Sequence, residues 1–176
     1  MDATVAQRRQ LEAAIGGDAS AFGTLATEAR AMIWSVCLRI TGNTYDAEDA
    51  LQDTLLAAWR GIQQFPREYS FGTWIYRIAA NAALAIVGSR RSAEVEVDGT
   101  YTPERDFAEH LAEADLVQRT LNTMPTDLRV ALVLRELCDY TYAQIADYQG
   151  VGVPTVKSRI ARGRLAFEAA VTSGLF

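Results

Sequence analysis

The sequence predicts an all-α protein: two small helical domains joined by a flexible polar linker. Three observations carry this reading. Only four of the 176 residues are proline, and apolar side chains recur at helical spacing along most of the chain. One stretch, "RRSAEVEVDGTYTPER" over 90–105, lacks that period, is mostly polar and contains Gly99 and Pro103, as a linker does. Charge divides along the same line: residues 1–50 hold four basic and seven acidic side chains, 51–91 five and two, 92–115 one and eight, and 116–176 seven and five. Two positive blocks flank a strongly negative one, which fits two lobes facing a polyanion. The expected division is a first domain over 1–91, an acidic linker over 92–102 and a second domain over 103–176.

The first domain should hold three or four helices. Asn43 or Thr44 can cap "YDAEDALQDTLLAAWRGI", where Leu51, Leu55, Ala58, Trp59 and Ile62 form one apolar stripe. "FPREYS" breaks the pattern at Pro66, and a further helix is expected from about Thr73 to Val87, with Ile75, Ile78, Ala79, Ala82 and Ile86 inward. After the linker, Thr102-Pro103 places proline at a first helical position, ahead of Phe107, Leu111, Ala114 and Leu121. That helix ends before Met124-Pro125, and another spans Thr126 to Leu137. Thr141 and Gln144 form a T-x-x-Q capping box, with Tyr140 and Ile145 placed as a hydrophobic staple. Gly150 ends this short helix and Pro154 opens the last one. Gly163, inside that last helix, costs about 1 kcal/mol relative to alanine and implies either a bend or a close approach.

Residues 141–164 therefore read helix, glycine turn, helix, the layout of a helix-turn-helix. Val156 and Ile160 face inward, while Lys157, Ser158, Ala161 and Arg162 share an outward face that fits a major groove. Arg and Lys pair with guanine edges, Ser adapts to several bases, and the Ala161 methyl suits a thymine methyl. Arg159 and Arg164 lie to the sides, where phosphates run. The plainer alternative is an amphipathic surface helix whose basic residues favour its C-terminal dipole. The capping box, glycine turn and proline start favour DNA binding.

Other chemistries find little support. The single histidine, His110, sits in no motif, and there is no glycine-rich phosphate loop or metal-ligand spacing. No catalytic residue, metal, cofactor or small-molecule substrate is expected. Cys37 and Cys138 lack a C-x-x-C partner and read as buried free thiols. No apolar run is expected to reach the roughly 18 residues of a membrane span, and no signal peptide is evident. A soluble cytoplasmic protein without membrane insertion is the expectation.

The segment "LNTMPTDLRVALVLRELCDYTYAQIADYQGVGVPTVKSRIARGR" resembles the promoter-reading C-terminal domain of extracytoplasmic-function sigma factors, specificity subunits of bacterial RNA polymerase in the sigma-70 family. The matching positions are Pro125, Arg129, Leu134-Arg135, Thr141-Tyr142, Ile145-Ala146 and Thr155 to Arg159. "YDAEDALQDTLLAAWRGI" and "FGTWIYRIAANAA" resemble two segments of the family's N-terminal domain, in the family's order. The resemblance implies that Thr141, Tyr142, Thr155, Lys157, Ser158, Arg159, Ala161, Arg162 and Arg164 contact the -35 element. It assigns Glu48, Asp49, Gln52, Asp53 and Leu56 to docking on core RNA polymerase.

For the -10 element it implies Phe71, Trp74, Arg77, Asn81, Arg90 and Arg91, with the loop Gln64 to Ser70 receiving a flipped base. Trp74, Arg77 and Asn81 share one helix face, able to stack on and hydrogen-bond an unpaired base, although a core tryptophan is the plainer reading of Trp74. Ala80, Ala85 and Gly88 stand where the family commonly has charged residues, so fewer phosphate contacts are expected here. The implied partners are core RNA polymerase, promoter DNA and an anti-sigma factor. The competing reading is a stand-alone helix-turn-helix regulator that does not bind core polymerase.

Overall fold

Short polar side chains set where the helices start. In the computed structural model, which describes residues 2–96 and 116–172, α1 (Asp2–Ile15) is followed by α2 (Ala19–Thr41). Asp18 caps α2 by accepting from the N–H groups of Ser20 and Ala21 at 2.8 and 3.1 Å. Gly42 ends it in the left-handed conformation, donating its N–H to the Leu38 carbonyl. Asn43 caps α3 (Thr44–Gly61) by accepting from Asp46 N–H at 3.0 Å. A 3-10 turn over Ile62–Gln64 and the break at Pro66 lead to α4 (Phe71–Glu96). Ser70 Oγ accepts from Thr73 N–H at 3.1 Å at the start of α4.

Helix α4 is longer than expected. It begins before Thr73 and continues past Val87 to Glu96, five residues into the segment read as linker. No proline interrupts 87–96, so the residues simply propagate the helix. Its stretch Phe71–Arg90 is long and apolar enough, by length and composition alone, to cross a membrane, which corrects the expectation of no such run. About a third of it is buried, on the side where α4 packs on α2 and α3. Ala79, Ala80 and Ala83 are fully buried and keep the three helices close. Leu84 is buried as well, whereas the expected inward residues Ile78, Ala82 and Ile86 are half-buried. From α2, Leu25, Ala29, Ile33, Val36 and Ile40 enter this core at helical spacing.

The predicted stripe of α3 also shifts. Leu51, Ala58 and Ile62 are buried, but Trp59 remains 39% exposed, its ring resting on Phe22 with centroids 5.1 Å apart. Thr54 points inward instead, made soluble in the core by donating its hydroxyl to the Ala50 carbonyl at 2.6 Å. Helix α1 covers α2 and the 3-10 turn, and Glu12 holds Arg67 of the following loop through two bonds of 2.7 and 3.2 Å.

The second domain comprises α5 (Leu116–Asn122), α6 (Thr126–Glu136), α7 (Tyr142–Gln149) and α8 (Val153–Thr172). The expected start at Thr102-Pro103, and with it Phe107, His110, Leu111 and Ala114, lies outside the described residues. Helix α6 is the centre: every residue from Leu128 to Leu134 is buried. The capping box of α7 is complete in both directions, and Gly150 closes α7 at φ 61°. Gly163 resolves the two readings offered for it: a Cβ there would lie 3.5 Å from the Leu128 carbonyl and the Leu132 side chain, so α8 approaches α6 closely. Helix α6 also lies against α2, and the two domains share one continuous apolar core.

Candidate nucleic-acid and polymerase interfaces

The sequence places a groove-reading face on α8, and the geometry there is clean. Val156 and Ile160 are buried, 0% and 2% exposed, which turns Lys157, Ser158, Ala161 and Arg162 outward into solvent with Thr155 at the helix start. The Lys157 ammonium lies 5.7 Å from the Tyr142 ring centre, and the Arg135 guanidinium lies 5.0 Å from the same ring. Tyr142 thus ties α6 and α7 to the first turn of α8 through its π-face. The flanking cations are occupied within the protein. Arg159 reaches Asp127 at 2.9 Å and Gln149 at 2.7 Å, and Arg164 pairs with Glu136 at 2.6 Å. Arg159 is half-buried, whereas the Arg164 pair is exposed and open to exchange for a phosphate. Thr141 uses its hydroxyl in the capping box with Gln144.

The face expected to take unpaired bases lies along α4 beside the loop at 65–70. Trp74 is half-buried, edge-on to Phe65 at 5.3 Å and tilted against Phe71 at 5.9 Å, so the indole belongs to an aromatic cluster at the foot of that loop. Phe71 is buried within the same cluster. One turn on, the Arg77 guanidinium is near two tyrosines, 5.3 Å from the Tyr69 ring centre and 5.8 Å from that of Tyr140. A further turn on, Asn81 accepts from the Tyr140 hydroxyl at 2.9 Å. Burial raises the Tyr140 phenol above its ordinary pKa, with Arg77 opposing, so the hydroxyl stays protonated as the donor. Trp74, Arg77 and Asn81 do share one face. Arg90 does not join them, since its guanidinium pairs with Asp46 of α3 at 2.9 Å. Arg91 lies in the same helix, its side chain outside the described ones.

The outer side of α3 presents Glu48, Asp49, Gln52, Asp53 and Leu56, all exposed, in one strip. Tyr45 at 69%, Leu56 at 53% and Trp59 at 39% exposure add apolar area to this acidic surface. The sequence reading missed Tyr45 and Trp59 here, and also Tyr69, Tyr140 and Tyr148 around α4. The helical stripe points Trp59 inward because one helix turn cannot distinguish a rim from a core position. In sequence Tyr140 is legible only as the staple of α7, a local role that says nothing of a neighbour 59 residues away.

Residues 25–92 match the sigma-70 region 2 family and residues 114–167 the sigma-70 region 4 family. The RNA polymerase sigma-H factor of Pseudomonas aeruginosa is 32% identical over 88% of this chain and 88% of its own length. The ECF RNA polymerase sigma-E factor of Escherichia coli is 32% identical over 86% of this chain and 87% of its own. The chain belongs to the extracytoplasmic-function sigma factors of the sigma-70 family. It is accordingly an RNA polymerase subunit that directs transcription initiation, and the reading as a stand-alone regulator is not favoured. Among solved structures, the sigma factor RpoE in complex with the anti-sigma factor NepR from Bartonella quintana shares the fold, with a TM-score of 0.59, 22% identity, and coverage of 86% of this sigma factor and 96% of that chain. CnrH in complex with the cytosolic domain of CnrY superposes with a TM-score of 0.57 at 26% identity, over 96% of this chain and 98% of that one.

Proposed function

We propose that this sigma factor docks on core RNA polymerase through the outer side of α3, reads the -35 element as duplex with α8, and takes unstacked -10 bases on α4 and the 64–70 loop. The observation that carries the reading is the α3 strip. Four polar or acidic side chains, Glu48, Asp49, Gln52 and Asp53, stand in solvent next to exposed Tyr45 and Leu56. An acidic rim around exposed aromatic and aliphatic side chains is the composition of a protein docking patch. On α8, Lys157, Ser158, Ala161 and Arg162 supply direct base readout, while Arg164 can exchange Glu136 for a phosphate. Arg159 serves first to hold α8 to α6 and α7.

On α4, Trp74, Arg77 and Asn81 share one face beside the loop ending at Ser70. Extruding a base costs a few kcal/mol, which stacking and hydrogen bonds on that face must offset. The protein works in the cytoplasm, where the polymerase and the chromosome are. An anti-sigma factor of the kind found with the two solved relatives is a further proposed partner. The test is co-elution of the purified chain with sigma-free core polymerase, beside a triple variant Asp49→Lys, Gln52→Lys, Asp53→Lys. Co-elution of the parent and its loss in the variant is expected. A variant that still co-elutes would move the docking surface off α3, and a parent that never binds would remove the reading altogether.

A further inference from the structure

The loop that the proposed function gives to a flipped base is fixed at both ends and exposed between them. Phe65 and Phe71 are buried, and the rings of both meet Trp74. Arg67, Glu68, Tyr69 and Ser70 are exposed. Within this crown Tyr69 donates its N–H to the Pro66 carbonyl at 3.1 Å, and Ser70 bonds to Thr73 of α4. Two longer side chains tie the crown to helices. The Tyr69 ring lies 5.3 Å from the Arg77 guanidinium of α4, and Arg67 reaches Glu12 of α1.

Glu12 stands on firm ground. Ala14 is fully buried, Leu11 and Ile15 pack against the core, and α1 lies on α2 and on the 3-10 turn that precedes the loop. Arg67 Nη1 donates to Glu12 Oε1 at 2.7 Å, and Nη2 donates to Oε2 at 3.2 Å. A two-pronged pair of this kind fixes the direction of the arginine as well as its distance. Both side chains are mostly exposed, 67% and 59%, so the pair adds little to global stability. Helix α1 does not gain from Glu12 either, because a carboxylate in the last turn opposes the helix dipole. Nor does the region 2 family match, over residues 25–92, reach as far as α1. Stability and family membership thus leave Glu12 unexplained, and orientation of the loop is what its geometry supplies.

We propose that Glu12 is a positioning residue for -10 recognition: through Arg67 it seats the 64–70 loop against α4, and so sets how strictly the loop discriminates the base it takes. The inference rests on the reading of that loop and the α4 face as the place of the -10 bases. Contact runs from Glu12 to Arg67, along the backbone to Tyr69, and from the Tyr69 ring to Arg77. Without Glu12 the crown gains conformational freedom, and an incoming base meets an averaged geometry in place of a fixed one. The ordering of the loop must then be supplied when the base binds. Discrimination falls further than affinity, because directional contacts depend on position whereas stacking tolerates any base.

The test uses the full chain with core polymerase and promoter templates carrying each of the four bases at successive -10 positions. The ratio of initiation on the best and next-best base measures discrimination at each position. Glu12→Ala should lower the ratio about fivefold at the position the loop takes, with core affinity and melting temperature unchanged. Amide exchange at Tyr69, followed by NMR in the free protein, should quicken in the same variant. Arg67→Ala and the double variant should each show the loss of Glu12→Ala alone, because residues that act through one contact do not add. An unchanged ratio in Glu12→Ala, where Trp74→Ala collapses it, overturns the proposal. Additive losses overturn it too, since Arg67 then acts on DNA independently of Glu12, and so does a lowered melting temperature that accounts for the lost activity. If Trp74→Ala also leaves the ratio unchanged, the reading of the α4 face fails instead, and exchange at Tyr69 alone decides whether Glu12 seats the loop.

Discussion

Helices α4 and α8 each carry a face suited to nucleic acid, and the two are presented in opposite ways. On α8, Lys157, Ser158, Ala161 and Arg162 stand in solvent. On α4, half-buried Arg77 has the rings of Tyr69 and Tyr140 near it, and Asn81 is bonded to Tyr140. The residue types alone do not decide accessibility; the neighbours do. The second domain braces α8 from behind, through Arg159 to Asp127 and Gln149, and sets Tyr140 of its front turn against Arg77 and Asn81 of α4. The contacts of Tyr140 therefore fall on one face and spare the other.

The largest effect expected from this contrast is on DNA binding. Lys157→Ala or Arg162→Ala should each weaken binding to a duplex bearing the cognate -35 sequence by about 1–3 kcal/mol, in the free protein and the polymerase complex alike. Arg77→Ala should show its loss only in the complex and only with DNA that carries the -10 element. Anisotropy titrations with and without core polymerase separate the two patterns, and equal losses for Arg77→Ala in both states would break the contrast.

Next is Arg159. Its side chain is 20% exposed and bridges α8 to α6 and α7, so Arg159→Ala should destabilise the protein by roughly 1–2 kcal/mol, as removing one partner of a partly buried pair does. Thermal unfolding checks this, since a purely phosphate-contacting arginine would leave the melting temperature in place.

The thiols probe the covered side. Burial pushes Cys37 up to about 11 and Cys138 up to about 12. Their raised values mean the folded state holds its protons longer than the unfolded chain. The stability this contributes is complete below the unfolded value of 9.0 and is lost as pH rises toward 11 and 12. By pH 10 the loss is about 1.4 kcal/mol per thiol. Replacing both cysteines with alanine should flatten the alkaline limb of a stability–pH curve measured by denaturant unfolding; an unchanged limb would remove the thiols from the buried junction.

The smallest effect belongs to α8 itself. A Cβ at Gly163 meets its neighbours at ordinary contact distance, 3.5 Å. Gly163→Ala should therefore gain close to the full helix preference, up to about 1 kcal/mol. A loss of stability would mean that α8 needs glycine there to keep its seat on α6.

Local signals in the sequence were legible because they are local. The Thr141–Gln144 capping box, the Asn43 cap, the Gly150 stop and the inward pair Val156 and Ile160 each depend on residues within one or two turns. Periodicity placed the α8 face and the α3 strip for the same reason. What stayed hidden depends on partners distant in sequence. Arg90 seeks Asp46, Arg159 seeks Asp127 and Gln149, and Tyr140 seeks Asn81, and no spacing rule pairs them. Trp59 and the far end of α4 failed differently, since a stripe cannot reveal its rim and a helix without a breaker does not announce its end.

The contrast between the two faces is tested most directly by arginine modification of the free wild-type protein with phenylglyoxal, read residue by residue by mass spectrometry. Arg162 should react at least tenfold faster than Arg77, and Arg77 should gain reactivity in the Tyr140→Ala variant. Equal rates for Arg77 and Arg162 in the wild type would contradict the account, because α4 would then be as open as α8.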